Sequence, residues 1–593
     1  MPFKDYSNTP TSNTELEGPI FIGPNMDRNN VRPALQQLAA DGRDLYDEMV
    51  ARGNGSTPPL FIQSGTGAVE RSLQDKGRES VSVDDFGAVG DGITDDTAKV
   101  QAVLNSGASV VRFVGGKTYK LTAAITVPAG VFIDATGATI NVAHNGVGLR
   151  FVNGGGIRGG KIIGPGGTTY TTALCAGIYC VGTSNSPLAP TYVTAPSIDD
   201  VEIANFNRFG IFFRYCRKNT ITRAYVHNCA YAGIAGVSCE DISTINPRIY
   251  DIGPGSPGGD AYGWFFDRDE AGVSETSDPR SYRCSITDFD IQRVLGTGPT
   301  ANGEGIDSHA GVDITIRGGQ IIDCQKGIAL VRSTIGGVEV LAPIRCKASG
   351  VAISGGHNSD GVVVAGAFTG GGVAAYATDC EIENVTVNGH GRDNSAGSAG
   401  IVIQGTKNLR VTGSTFKDNA YNAMFLNLSN LGLNITGNTF VDPHDTAYGA
   451  PACILIGGND NRGFIGGNTF RYEDASLATN VAAASVRVNA GLTGLDLDFG
   501  SSTFQGIDAT HLSLQLATTT GVNVSGLQSQ VGTGTLAGGT VAVSFAKRFP
   551  AAPRMVHIQN TTDAAGIRPS AITATGFTAT GTGTSTFTYE ARL

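Results

Sequence analysis

The chain has 593 residues, too many for one compact core, so it is either several domains or a repeat architecture. Its 83 glycines follow no every-third-residue pattern, which excludes collagen, and its 40% hydrophobic residues, spread in short β-branched runs, exclude a flexible low-complexity chain. A formal net charge of -10 with no basic block excludes nucleic acid as the expected partner, and no apolar run is long enough for membrane insertion.

Taken in chain order, residues 1 to about 30 are polar and irregular, and MPFKDYSNTPTSNTE lacks the apolar core of a signal peptide. Leu35, Leu38, Leu45 and Met49 form one apolar stripe, which predicts a helix over about 31–50. That helix is too short to stand alone; it would bundle with copies of itself, dock on a larger assembly or cap its own domain. Residues 52–60 read as a linker. VSVDDFGAVGDGITDDTAKVQAVLN, from Val81, predicts a strand, a glycine turn and a helix with Thr94 as N-cap and Asp95 and Asp96 in its first turn. VVRFVGGKTYKL and ITVPAGVFIDATGATINV then read as strands broken by turns.

From there to about residue 505 the chain repeats. A strand of small residue, large apolar, any residue, apolar recurs at Ile178, Ile211, Ile234, Trp264, Ile306, Ile328, Val351, Ile401, Met424 and Ile454. The smallest spacing is 22–23 residues, and the 50 residues from Val351 to Ile401 read as two coils. A second ladder ends RGGKII, RGGQII, TGSTF, TGNTF, GGNTF and GSSTF, its late members being Phe416, Phe440, Phe470 and Phe504. Two ladders advancing in step predict an all-β solenoid of stacked parallel strands, a parallel β-helix. After about residue 520 the pattern gives way to period-two alternation, a separate small β module. The ten cysteines lie mostly in apolar runs without zinc-type spacing, so buried free thiols are expected, with synthesis in a reducing cytoplasm.

Asp84 to Thr97 (DDFGAVGDGITDDT), the helix TAKVQAVLN and the strand-turn VVRFVGGKTYKL resemble the pectate-lyase-like right-handed β-helix family of phage tailspikes and related depolymerases. The family's usual proline before the glycine in the last turn is here Val114. The resemblance implies three parts: a virion-attachment region at 1–78, a β-helix at 79–520 with its N-terminal cap at 79–125, and a C-terminal β-sandwich-like module at 521–593. FPAAPRMVHI and GFTATG in that module are similar to small lectin-like modules of tail proteins. It further implies a homotrimer in the virion tail, joined to other phage tail or baseplate proteins through its N-terminal region, that recognises a bacterial surface polysaccharide. The segment is specific for the fold and not for chemistry.

Alternation along the strands gives the chemistry a place. With Ile306 and Trp264 inward, Phe212, Phe265 and Asp307 fall in one outward column and Arg214, Asp267 and His309 in another. Glycoside cleavage needs two carboxyls, so Asp307 and Asp267 are the candidate pair, with Glu304 and His309 as further catalytic candidates. Phe212 and Phe265 would offer apolar faces to sugar rings, Arg214 would hold an acidic sugar, and Asp269 and Glu270 would contribute from a long loop. If an extra coil occupied the 42 residues between Trp264 and Ile306, Asp267 and Asp307 would not meet. His309 with Arg214 would equally suit a lyase, and a non-catalytic fibre would use the same patch only for grip. No metal and no cofactor are expected. His357, His390 and His444 read as turn residues and Trp264 as core.

Overall fold

The structure, a computed structural model, describes residues 60–592 apart from internal segments. Up to residue 505 the longest of these are 254–258, 269–273, 298–301, 391–397, 443–451 and 474–483, and beyond it only the strands are described. The expected helix at 31–50 and nearly all of the linker lie outside the described residues. The chain divides into two compact units, residues 1–81 with 107–110, and residues 82–106 with 111–593. The described part of the first holds a short antiparallel pair, Leu60–Phe61 with Arg71–Ser72, and the helix Leu73–Gly77.

The second unit opens on a one-turn helix, Val83–Phe86, closed by a capping box. Ser82 Oγ accepts the Asp84 N–H at 3.2 Å, and the Asp85 carboxylate accepts the Ser82 N–H at 2.9 Å. The following helix runs Thr97–Leu104 and buries Val100, Val103 and Leu104. Its N-cap position is Asp96 and not the expected Thr94, which sits in the strand Asp91–Asp95 and binds the Asp91 carboxylate. Asp96 does not cap with its side chain. It is buried and accepts the Val89 and Gly90 N–H groups at 2.7 and 3.1 Å, so it holds the preceding loop.

From Ile125 onward the chain is a parallel β-helix. One sheet of 14 strands collects one strand per coil, and the strands of a 30-stranded sheet supply the remaining walls. The strands that matter for function are β1 (Val147–Phe151), β2 (Ala176–Val181), β3 (Phe209–Arg214), β4 (Ala232–Val237), β5 (Ala261–Asp267), β6 (Gly303–His309), β7 (Lys326–Val331) and β8 (Val362–Ala365). Each pairs in parallel with the next, so that Leu149, Ile178, Ile211, Ile234, Trp264, Ile306, Ile328 and Val362 stack inward. The expected member Val351 is not in this ladder. It precedes Ala352–Ser354, a strand of the other sheet, and Val362 takes its place beside Ile401, so no two-coil gap exists. The 42 residues between Trp264 and Ile306 hide no extra coil either, because β5 pairs directly with β6.

The small residue before each ladder position is a packing requirement. A Cβ on Gly233 would lie 2.6 Å from Ile249 Cγ2 and 2.7 Å from the Gly263 carbonyl of the next coil. In the second ladder Phe416, Phe440 and Phe470 stack with ring centroids 5.5 and 5.2 Å apart. All ten cysteines are buried and unbridged. Past Asn523–Ser525, which still pairs in parallel with Asp496–Asp498, the strands turn antiparallel, in two three-stranded sheets that meet where Phe577 packs edge-on to Tyr589 at 4.9 Å. Among the described residues no helix is long and apolar enough to cross a membrane.

Phe440→Ala would remove a ring held on both faces. A loss of about 3–5 kcal/mol is expected, read as faster and earlier unfolding in guanidinium; an unchanged unfolding curve would mean that the Phe stack carries no stability.

Candidate active site

The outward columns emerge as the alternation predicts. Tyr179, Phe212, Ala235, Phe265 and Asp307 lie side by side across β2 to β6, with Val181, Arg214, Val237 and Asp267 in the neighbouring column. Asp267 and His309 meet across β5 and β6, where the His309 N–H donates to Asp267 Oδ1 at 2.7 Å. One oxygen of Asp267, one of Asp307 and one ring nitrogen of His309 lie within 4.8 Å of one another. His309 Nε2 is 3.3 Å from Asp307 Oδ2.

A third column, not anticipated, completes the surroundings. Tyr262, Glu304 and Lys326 follow one another two residues before the inward ladder of β5, β6 and β7. Lys326 Nζ pairs with Glu304 Oε1 at 2.6 Å, and both are largely buried. Burial alone would lower the Lys326 pKa, but Glu304 outweighs it and leaves the ammonium favoured. The signal for this column was present in the sequence as YGW, EGI and KGI, the residue before each glycine.

Asp307 is where the expectation changes. It was expected at the surface but is 0% exposed, and neither carboxylate oxygen has a hydrogen-bond partner. Burial therefore drives its pKa well above the usual carboxylate range. His309 pulls against that shift, whereas the negative charges of Glu304 and Asp267 add to it. Tyr262 is raised in the same way, first by burial and then by Asp307 and Glu304. Asp360, before β8, is pushed up to about 6 by burial, partly offset by the Ala399 N–H that its Oδ1 accepts at 2.9 Å. His309 and Asp267 are the members of the cluster that reach solvent.

The other expected residues divide. Phe265 does not offer a free face: it is 6% exposed, covered by Tyr262 and Tyr231 at ring distances of 5.2 and 6.4 Å. Phe212 remains partly open, stacked on Tyr179 at 5.8 Å. Arg214 is committed to the fold, since its Nη2 donates to the Tyr215 hydroxyl at 2.8 Å and stands 3.5 Å from Asp278. The Tyr215 hydroxyl donates to Asp278 Oδ1 at 2.6 Å, so Arg214 and Tyr215 together pin the loop that follows β5. Arg268, unnoticed in the sequence and 2% exposed, fixes the same loop by donating to the Ser274 and Thr334 carbonyls. Asp269, Glu270, His357 and His444 lie outside the described residues. His390 is buried, its backbone N–H held by Asn419, and Trp264 is core, its Nε1 donating to Thr244 Oγ1 at 3.0 Å.

The family model of the right-handed β-helix region matches residues 176–356, the stretch that carries β2 to β7. No curated protein matches the chain by sequence. Among solved structures, a mutant tailspike of E. coli bacteriophage HK620 in complex with a hexasaccharide aligns with a TM-score of 0.54 at 13% identity, over 92% of this chain and 99% of that one. A second mutant of that tailspike, in complex with a pentasaccharide, aligns with a TM-score of 0.53 at 12% identity, over 93% of this chain and 99% of that one. Register, family model and alignments agree on the architecture: the chain is a right-handed parallel β-helix, folded like the solved phage tailspikes.

Proposed function

We propose that the chain is a tailspike-type, receptor-binding depolymerase that binds a bacterial surface polysaccharide and hydrolyses it internally at Asp267, Asp307 and His309. The observation that carries this reading is Asp307, a buried carboxyl without a hydrogen-bond partner, its pKa raised by burial, set against a second carboxyl and an imidazole that reach the surface. That solved tailspikes of the same fold hold a hexasaccharide or a pentasaccharide supports a glycan as ligand. Residues 1–78 would attach the protein to tail or baseplate proteins, residues 521–593 would form the terminal β module, and the working unit would be a homotrimer in the virion tail.

Asp307 itself has no path to substrate, so its proton travels through His309, 3.3 Å away and 24% exposed. The imidazolium protonates the glycosidic oxygen as the bond to the anomeric carbon breaks. Asp267 supplies the second carboxyl. Its oxygen lies within 4.8 Å of Asp307 and His309, nearer to the ~5–5.5 Å of a retaining pair than to the ~6.5–9.5 Å that an inverting pair leaves for water. Asp267 therefore attacks the anomeric carbon, and water then releases the sugar, returning its proton to the His309–Asp307 pair. The charge of Glu304 helps keep the proton on Asp307, and Lys326, paired with Glu304, opposes part of that effect. A second reading draws on the same imidazole: His309 beside two acids could abstract a proton next to a uronate carboxylate, giving β-elimination.

Incubation with a panel of bacterial surface polysaccharides decides between them. New reducing ends without ultraviolet absorbance, with configuration retained at the anomeric carbon, are expected; absorbance would turn the assignment to a lyase. A glycan that binds and is never shortened would leave a non-catalytic fibre. Asp307→Asn, His309→Ala and Asp267→Asn should each lower kcat/KM on the order of 10²–10⁴-fold with binding retained.

A stability measurement separates chemistry from structure. A carboxyl whose folded pKa is raised stabilises fully below its unfolded pKa, near 3.9, and that contribution is lost as pH rises through the folded value. Asn mimics the protonated acid, so Asp307→Asn should match the wild type in denaturant stability near pH 4 and exceed it at pH 8. A variant that is inactive and also unstable at pH 8 would make Asp307 a structural residue.

A further inference from the structure

We propose that the aromatic strip on the N-terminal side of Asp307 is a binding track for an acidic polysaccharide, whose carboxylates are read by Arg150 and Arg208. The proposal rests on the glycan-cleaving reading of this face and adds the substrate's charge and the direction in which it lies.

The register sets Arg150, Tyr179, Phe212, Ala235, Phe265 and Asp307 in one outward column over the six adjacent strands β1 to β6. At ~4.8 Å per coil that column runs ~24 Å, enough for several sugar rings. Tyr179 and Phe212 stack at 5.8 Å with their planes 15° apart, and Phe209 packs on Phe212 at 4.5 Å. Tyr179, Phe212, Tyr231 and Tyr262 are partly exposed around the buried Phe209 and Phe265, so the strip is rigid beneath and open above. Such rings, apolar in face and polar at the tyrosine edge, suit pyranoses, which present C–H faces and hydroxyl rims.

The charge comes from a contrast among the arginines. Arg158, Arg223, Arg283, Arg293 and Arg345 each bridge an aspartate. Arg150 and Arg208 do not: among the described residues neither is ion-paired to a carboxylate. Arg150 is exposed with its guanidinium 4.9 Å over Tyr179. Arg208 lies 4.8 Å over Phe209 and 5.8 Å over Tyr170, with Nη1 donating to the Thr172 carbonyl at 2.8 Å and Nε buried without a partner, which leaves its Nη groups to meet a ligand. A guanidinium laid on a ring keeps donors free for a planar carboxylate, which it binds in a fork. Beyond Asp307 the same column turns aliphatic through Ala329, Val363 and Val402, so the track runs one way only.

The test uses the full chain carrying Asp307→Asn, so that glycan is held and not cut. Binding to a panel of uronate-bearing capsular polysaccharides is compared with binding to the same glycans after chemical reduction of their carboxyls, at low and high salt. At least ~10-fold tighter binding to the acidic forms, weakened by salt, is expected. The double variant Arg150→Gln/Arg208→Gln should lose that preference with its unfolding curve unchanged. Equal binding of reduced and native forms, a preference that survives in the double variant, or no binding to any acidic glycan would overturn the proposal. The wild type run on the same panel keeps the two readings apart. Acidic glycans bound but never shortened would sink cleavage and support the track, whereas glycans shortened without regard to charge would sink the track and leave cleavage standing.

Discussion

The parallel, in-register stacking of coils is the constraint on which everything else here depends. Once Ile234, Trp264 and Ile306 stack inward, the phase of every neighbouring side chain is set, and a shift of one residue would exchange core for surface. Sequence distance then loses its meaning on the outer face: Asp267 and His309 are 42 residues apart and joined by a 2.7 Å hydrogen bond. The glycine before Ile234, Trp264 and Ile306 belongs to the same constraint, because a side chain there would strike both the opposite wall and the next coil.

Against that regular background the charges around Asp307 are costly. A buried carboxylate with no hydrogen bonds is strongly disfavoured as an anion, so the Asp307 pKa is driven up, while the pairing with Glu304 raises that of Lys326 despite its burial. Tyr262 stands at the edge of the aromatic strip beside these groups, its own ionisation suppressed first by burial and then by the charges of Asp307 and Glu304. Burial and not a specific hydrogen bond raises the Asp307 pKa, and the His309 imidazole, 3.3 Å from its carboxylate, is the neighbouring group that reaches solvent.

What could be read in the sequence follows from how directly residues obey the ladder. Asp267, Asp307 and His309 could be placed in neighbouring columns because each sits one or three positions after an inward residue on a regular strand. Tyr262, Glu304 and Lys326 form one column too, but they stand two positions before an inward residue, where simple alternation turns a side chain into the core, so Glu304 entered only as a further candidate and the other two were missed. Val351 was misplaced because small residue followed by apolar residue also opens strands of the other sheet; only stacking distinguishes it from Val362. Asp307's burial could not be read from its own strand, since neighbouring columns supply the cover. Thr94 failed as a cap because Asp91 competes for it and Asp96 is taken by the loop amides.

A solenoid is well suited to carry such a site. Its stability is close to a sum over coils and their neighbours, so one coil can hold unfavourable buried charge while those on either side retain their stacks. Beneath Asp307's neighbourhood Trp264 packs on Phe266 at 4.7 Å, and farther along Phe416, Phe440 and Phe470 stack without a charged group among them. The long excursion between β5 and β6 is anchored separately, through Arg268, Asp278 and Tyr215, so its length does not loosen the strand pair it interrupts. Loop variation can therefore reshape the rim of this face while the register keeps Asp267 and His309 in contact, and that division of labour lets the fold change its ligand without rebuilding its core.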